Sequence, residues 1–261
     1  MRTSGVLMHI SSLPGDCGIG TFGEYAYSFV DLLYESGQTY WQILPLCPTS
    51  YGDSPYQSFS TFAGNPYFID LETLEIQGYL MPDEYKNIRW GDDPEKVDYG
   101  LLYTERRMVF NAVKNRFFEN PPQDYNDFCE KNSFWLDDFA LFMAIKDEHG
   151  GKAFSEWESK IRLREPIALQ KYREKCKEQT DYYKMLQYLF FEQWGKLKAY
   201  ANGKGIKIIG DLPIYVALDS ADVWSSPEQF MLDDDIRPIE VAGCPPDAFS
   251  EDGQLWGNPL Y

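Results

Sequence analysis

The 261 residues carry 24 Lys and Arg against 41 Asp and Glu, a net charge of −17. That balance argues against a nucleic acid or an anionic membrane surface as partner. Hydrophobic residues make up 44%, enough for the core of one large α/β domain or two small ones, and too many for a disordered chain.

Gly5–Ile10 reads as a first buried strand. Ser11–Gly23 is a Gly/Pro/Ser loop, and Glu24–Ser36 is a helix with apolar positions at Ala26, Phe29, Val30 and Leu33. Gly37 stands where a helix stop is expected, just past the C-terminus. Tyr40–Leu46 is a second strand, and the strand–loop–helix–strand order implies a parallel βαβ unit. The intervening loop holds a formal G-x-G-x-x-G at Gly18, Gly20 and Gly23. A dinucleotide fingerprint needs an acidic residue about 20 positions further on, and that distance falls in the apolar second strand. A tight turn is the better account.

Residues 47–66 form another loop, with Tyr51, Tyr56, Phe59 and Phe62 interleaved among Ser, Asp, Gln and Asn. Residues 67–100 hold short acidic segments without strong periodicity. Helices follow at Arg106–Phe118, Phe134–Glu148, Pro166–Glu178 and Tyr182–Tyr200, with starts favoured at Asn132-Ser133 and Thr180-Asp181. The stripes Trp135, Phe139, Phe142, Met143 and Tyr188, Phe191, Trp194 have helical spacing and belong to a core.

Ile206, Ile208 and Ile209 make a third short strand of the kind buried on both faces. Asp211 follows where the apolar run stops, and Pro213 cannot donate to a ladder. An acidic residue at the carboxyl end of a buried strand is the usual place for an active-site group in a (β/α) barrel or open α/β sheet; a turn cap explains it equally well. Val241–Tyr261 reads as a long loop punctuated by Pro and Gly, carrying Phe249, Trp256 and Tyr261 with Gln254 and Asn258 as polar handles. Long loops in compact domains tend to be lids or binding loops. Aromatics beside amides and carboxylates suit a sugar, whose C–H face lies on a ring while its hydroxyls need donors and acceptors. The chain's 16% aromatic content fits such a groove as well as core packing.

Cys17, Cys47, Cys129, Cys176 and Cys244 are odd in number and show no CxxC spacing, so they read as reduced thiols of a cytoplasmic protein. His9 and His149 have no metal-ligand partner at a recognisable spacing. Asp233-Asp-Asp235 lacks the Gly and distal Glu of an EF-hand loop and reads as a solvated acidic turn. No metal or cofactor is expected. Residues 1–20 hold Gly, Pro and Asp in place of a continuous apolar segment, so no signal peptide is expected, and no run of 18 apolar residues suggests a membrane span.

Several runs together resemble one family: Arg2-x-Ser-Gly5, Ser12-Leu-Pro-Gly15, Trp41-Gln-x-Leu-Pro-Leu46, Gly52-Asp-Ser-Pro-Tyr-Gln57, Phe62-Ala-Gly-Asn-Pro66, Gly210-Asp-Leu-Pro-Ile-Tyr-Val216, Asp219-Ser-Ala-Asp-Val-Trp224, Val241-Ala-Gly-x-Pro-Pro-Asp-x-Phe-Ser250 and Gly253-Gln-Leu-Trp-Gly-Asn-Pro-Leu-Tyr261. All look like the 4-α-glucanotransferases, also called amylomaltases or disproportionating enzymes, of glycoside hydrolase family 77. The resemblance implies an α/β fold: the first three strands of a TIM (β/α)8 barrel, from residues 1–66 and 201–261, with residues 67–200 as a mainly helical insertion between strands two and three. It implies transfer of α-1,4-glucan segments between maltodextrins by a retaining double displacement, which uses two carboxyls about 5 Å apart. It assigns sugar contact to Asp211, to Gln254 and Trp256, and to Ser54 and Tyr56 of the Ser-Pro-Tyr motif, and it likens Tyr51 to a tyrosine of a secondary glucan site.

The family's nucleophile lies in an Arg-x-Asp-His motif, and its other catalytic carboxyls lie on later strands. Neither Arg-x-Asp-His nor Thr-His-Asp occurs in this sequence. The resemblance therefore implies the first half of the enzyme, inactive alone, with a non-catalytic maltodextrin-binding fragment as the alternative and self-association through an open barrel edge expected.

Overall fold

The computed structural model describes residues 2–50, 52–93 and 95–261. In chain order the elements are β1 (Gly5–Leu7), α1 (Glu24–Glu35), β2 (Tyr40–Gln42), α2 (Leu71–Ile76), α3 (Tyr99–Glu119), α4 (Tyr125–Lys131), α5 (Ser133–Glu148), α6 (Ser159–Arg162), α7 (Pro166–Lys175), α8 (Lys177–Gly203), β3 (Lys207–Ile209), α9 (Ala221–Ser225), β4 (Val241–Cys244) and β5 (Gln254–Pro259). The chain divides into two compact units. Among the described residues no helix is long and apolar enough to cross a membrane.

The first unit comprises Met1–Leu46, Gly64–Cys129 and Met185–Asp211. Its centre is a parallel sheet in the order β1-β2-β3, with Val6, Trp41 and Ile208 in one register row and Leu7, Gln42 and Ile209 in the next. Trp41 is fully buried, meets Phe29 of α1 edge-on at 5.2 Å, and its indole N–H donates to Met8 O at 2.7 Å. The strands are shorter than the apolar runs suggest. Beyond Gln42 only single bonds continue the ladder, such as Ile43 N–H to Ile209 O at 3.0 Å, and Pro45 has no N–H to offer.

Helix α1 begins at Glu24, an acidic residue suited to the positive end of the helix dipole. It ends before Gly37, whose φ of +67° is the left-handed conformation glycine adopts at low cost. Gly20 explains the glycine motif between β1 and α1: a Cβ there would sit 1.9 Å from Ile10 O. The loop closes on its own backbone at that point.

Helix α2 appears within the acidic stretch that showed no periodicity. It is set by its cap: Asp70 accepts the Thr73 N–H at 2.7 Å. Helix α3 starts seven residues earlier than the apolar spacing indicated, because Asp98 caps it through the Leu101 N–H. Two amides of α8, Gln187 and Gln193, each clasp one backbone unit, at Gly64 and at Asp70, donating to the C=O and accepting from the N–H. Buried polar groups are satisfied in this way without a charge.

The second unit comprises Cys47–Ala63, Glu130–Lys184 and Leu212–Tyr261. Trp135, Phe139 and Phe142 of α5 are buried as their spacing requires, and Phe142 meets Phe154, Trp157 and Trp224 within 6.3 Å. The Trp224 indole donates to Ile161 O at 3.1 Å, and the Arg164 guanidinium lies 4.2 Å from its ring centre. Buried Lys146 pairs with Asp219, which also accepts the Phe154 N–H at 3.0 Å.

Val241–Tyr261 departs from the expected structureless loop. Strands β4 and β5 form an antiparallel ribbon, with Gly243 opposite Leu255 and Cys244 opposite Gln254, interrupted by a register shift between Val241 and Gly243. The Asp233–Asp235 run is a turn in which the Asp233 carboxylate accepts the N–H groups of Asp235 and Arg237, at 3.0 and 2.8 Å.

Candidate functional site

Asp211 belongs to the first unit. It lies two residues beyond β3, so in a parallel sheet it stands at the carboxyl edge, and it is exposed. The other described candidates belong to the second unit, where three segments meet. Tyr51 lies outside the described residues.

The first segment is the loop of residues 52–63. Ser54 turns it: its hydroxyl accepts the Tyr56 N–H at 3.3 Å and its C=O accepts the Gln57 N–H at 3.1 Å. Such serine turns fix the backbone locally. They leave the Ser54 O–H as a donor and Tyr56 43% exposed. The loop is then anchored from its other end, where Thr61 gives both its N–H and its hydroxyl to Asp222 at 3.1 and 2.8 Å. Burial pushes the Asp222 carboxyl up from its ordinary value, while the Thr61 bonds pull it down.

The second segment is β5. Gln254 and Trp256 are two apart on a strand and therefore share a face. The indole N–H of Trp256 donates to the Gln254 Oε1 at 2.9 Å, which holds the ring upright with 45% of the residue exposed. The third segment, Leu212–Val216, brings Tyr215, whose ring lies 6.2 Å from Trp256 and stacks on Tyr261 at 6.2 Å and 16°. Tyr261 in turn meets Phe230 at 5.3 Å and donates to Ile214 O at 3.0 Å. The result is an aromatic wall with the amide of Gln254 at its rim.

Asn258 is not the polar handle its place in the sequence suggested. It is 3% exposed. Its Oδ1 accepts from Gln57 Nε2 at 3.1 Å and its Nδ2 donates to Val216 O at 2.7 Å. Both ends of the amide are spent inside the protein.

Tyr215, Gln57 and the Asp222–Thr61 contact were not singled out by sequence reasoning, although Tyr215, Gln57 and Asp222 stand inside recognised runs. Nothing in spacing alone separates an aromatic that packs from one that lines a groove. At the sheet's carboxyl edge, His9 follows β1 with 7% exposure, edge-on to Phe68 at 5.3 Å. Its Nδ1 has no partner among the described residues, and burial lowers its pKa to about 4. The imidazole is neutral at ordinary pH and packs as an aromatic.

The site can offer stacking surface, an amide and a hydroxyl to a neutral polyhydroxyl ligand. Comparison with known proteins bears on that chemistry. A sequence model of glycoside hydrolase family 77, described as 4-alpha-glucanotransferase, matches residues 8–261. The 4-alpha-glucanotransferase of Clostridium butyricum is 53% identical over 255 residues, covering 97% of this chain and 52% of that protein. That of Thermus thermophilus is 48% identical over 264 residues, covering 100% and 52%. Amylomaltase from Streptococcus agalactiae, solved in complex with acarbose, superposes with a TM-score of 0.97 at 53% identity, covering 100% of this chain and 53% of that one. The α/β fold thus matches that of an amylomaltase, and the chain spans about half the length of the curated relatives it matches.

Proposed function

The chain belongs to glycoside hydrolase family 77, the 4-alpha-glucanotransferases, and from that premise we propose that the full-length protein transfers α-1,4-glucan segments between maltodextrins by a retaining double displacement. The observation that carries this reading is the second-unit site: Trp256, Tyr215 and Tyr261 form a wall, with Gln254 at its rim and Tyr56 on the loop tied to the same strand. Trp256 and Tyr56 carry sugar rings; Gln254 and Ser54 meet hydroxyls; Asp211 contacts the donor sugar from the carboxyl end of β3, and Tyr51 serves a secondary glucan site. The acarbose held by the Streptococcus agalactiae amylomaltase supports a maltodextrin-like ligand.

The three parallel strands are the opening strands of a (β/α)8 barrel built from residues 1–66 and 201–261. Residues 67–200, which contribute helices and no strand among those described, are its insertion. Retention needs a nucleophile and an acid/base. The family's motifs for these groups do not occur in the 261 residues, so this chain by itself is inactive. Five free thiols fit the cytoplasmic location proposed here.

The test is incubation of the full-length protein with maltotriose. Glucose together with longer maltodextrins is the expected outcome. Glucose without chain lengthening would replace the transferase with a hydrolase.

A further inference from the structure

We propose that Asn258 is a positioning residue of the glucan site: its buried amide sets the spacing of the three aromatic side chains that line it. This rests on the glucanotransferase reading above. The geometry is a three-way tie. Asn258 Oδ1 accepts from Gln57 Nε2 at 3.1 Å, Asn258 Nδ2 lies 3.5 Å from Gln57 Oε1, and the same Nδ2 donates to Val216 O at 2.7 Å. Gln57 is next to Tyr56, Val216 is next to Tyr215, and Asn258 is two residues from Trp256. Each ring is thus one or two residues from an atom held by the amide, while the segments are 42 and 201 positions from Asn258 in sequence.

At 3% exposure the side chain has no surface with which to meet a sugar. Its effect passes through the rings. A purely structural buried amide would do no more than satisfy a strand or a turn. This one joins the three segments that carry Tyr56, Tyr215 and Trp256, and small displacements of positioned groups cost heavily in binding and rate. The amide is also the side chain suited to the task. It must accept from one neighbour and donate to another at once, so a carboxylate, which only accepts, fails against the Val216 carbonyl.

The experiment uses the full-length protein and maltotriose. Chain lengthening by the unmodified protein is established first, and its absence would sink the functional reading rather than this one. Asn258→Asp and Gln57→Ala are then compared with it. Asn258→Asp sets a carboxylate oxygen against Val216 O, so its KM is expected to rise about tenfold, the equivalent of 1.4 kcal/mol in site geometry, while kcat falls less than about threefold. Gln57→Ala removes one arm and should raise KM by a smaller factor. The KM gap between Asn258→Asp and the unmodified protein should narrow as pH falls from 8 to 5, because the introduced carboxyl regains a proton to donate to Val216 O. Unchanged KM in both variants would overturn the proposal. So would a fall in apparent kcat at unchanged KM that merely follows a loss of folded protein in thermal melts. If Asn258→Asp does not fold, Gln57→Ala decides the matter by the same KM criterion.

Discussion

Asp222 receives both the backbone N–H and the hydroxyl of Thr61, at 3.1 and 2.8 Å, across 161 residues of sequence. The N-terminal turn of α9 thereby grips the loop that presents Ser54 and Tyr56. Ser220 frees the carboxylate for this role, because its own hydroxyl caps α9 through the Val223 N–H. Hydrogen bonds to a charged group contribute about 1.5–3 kcal/mol each, so Asp222→Ala should cost about 2–3 kcal/mol once water has partly replaced the lost acceptor. Asp222→Asn keeps an oxygen for the N–H, and the Thr61 hydroxyl can turn to accept from the new amide; it should cost under about 1 kcal/mol. Urea midpoints of the two variants check the order. Equal losses would mean that the charge, not the acceptor geometry, holds the loop.

Trp256→Ala and Tyr56→Ala in the full-length protein should weaken donor binding without disturbing the fold, since both residues are nearly half exposed. Ring contacts of this kind are worth about 0.5–1.5 kcal/mol beyond area burial, which corresponds to roughly 2- to 10-fold in KM for maltotriose. Trp256→Ala should be the more damaging, because it also strips Gln254 of its hydrogen-bond partner. Wild-type kinetics with a lowered melting temperature would assign these rings to packing.

His9 gives a pH signature. Burial holds its folded pKa at about 4 against an ordinary value of 6.5, so the unfolded chain takes up the proton first. The contribution to stability is complete above pH 6.5 and is lost as pH falls toward 4. At pH 5 the loss is about 2 kcal/mol. His9→Phe, which keeps the edge-on contact to Phe68, should lose less stability than the unmodified chain between pH 7.5 and 5. The sequence has only two imidazoles, so proton NMR can follow His9 directly. A midpoint between 6 and 7 would mean that its ring is solvated.

How much of this was legible depends on whether the signal was local. The helix from Glu24 to its Gly37 stop, and the α5 core stripe, are written in spacing and capping chemistry that involve residues a few positions apart. The ribbon at 241–259 was not, because Gly243, Gly253 and Gly257 with Pro245, Pro246 and Pro259 erase the alternation that marks a strand, and its register is set across the pair. Asn258 was misread for the same reason. An amide looks alike whether it faces a sugar or a backbone carbonyl 42 residues away, and only tertiary structure separates the two. The motif around Trp256 was visible as a run of residues. Its wall was not, since Tyr215, Trp256 and Tyr261 come together only when the segment after β3 lies beside β5.

The 261-residue chain leaves part of its sheet exposed. Its parallel sheet has β1 and β3 as outer strands, each with backbone groups directed outward. The row Val6–Trp41–Ile208 includes the fully buried Trp41, whose ring meets α1. The next row, Leu7–Gln42–Ile209, must point to the opposite face because side chains alternate along a strand. There Leu7 is 56% and Ile209 43% exposed. Parallel sheets are normally covered on both faces, and exposed apolar strands at a sheet edge recruit other chains. We therefore expect the isolated chain to self-associate, with a mass by light scattering that grows with concentration and with amide exchange across residues 205–216 slowing in step. Leu7→Lys with Ile209→Lys places charges on the open face without touching the buried row, and should return the chain to a monomer. A monomer at every concentration, with strong protection in β3, would show that three strands and their helices suffice, and that the uncovered row costs too little to drive association.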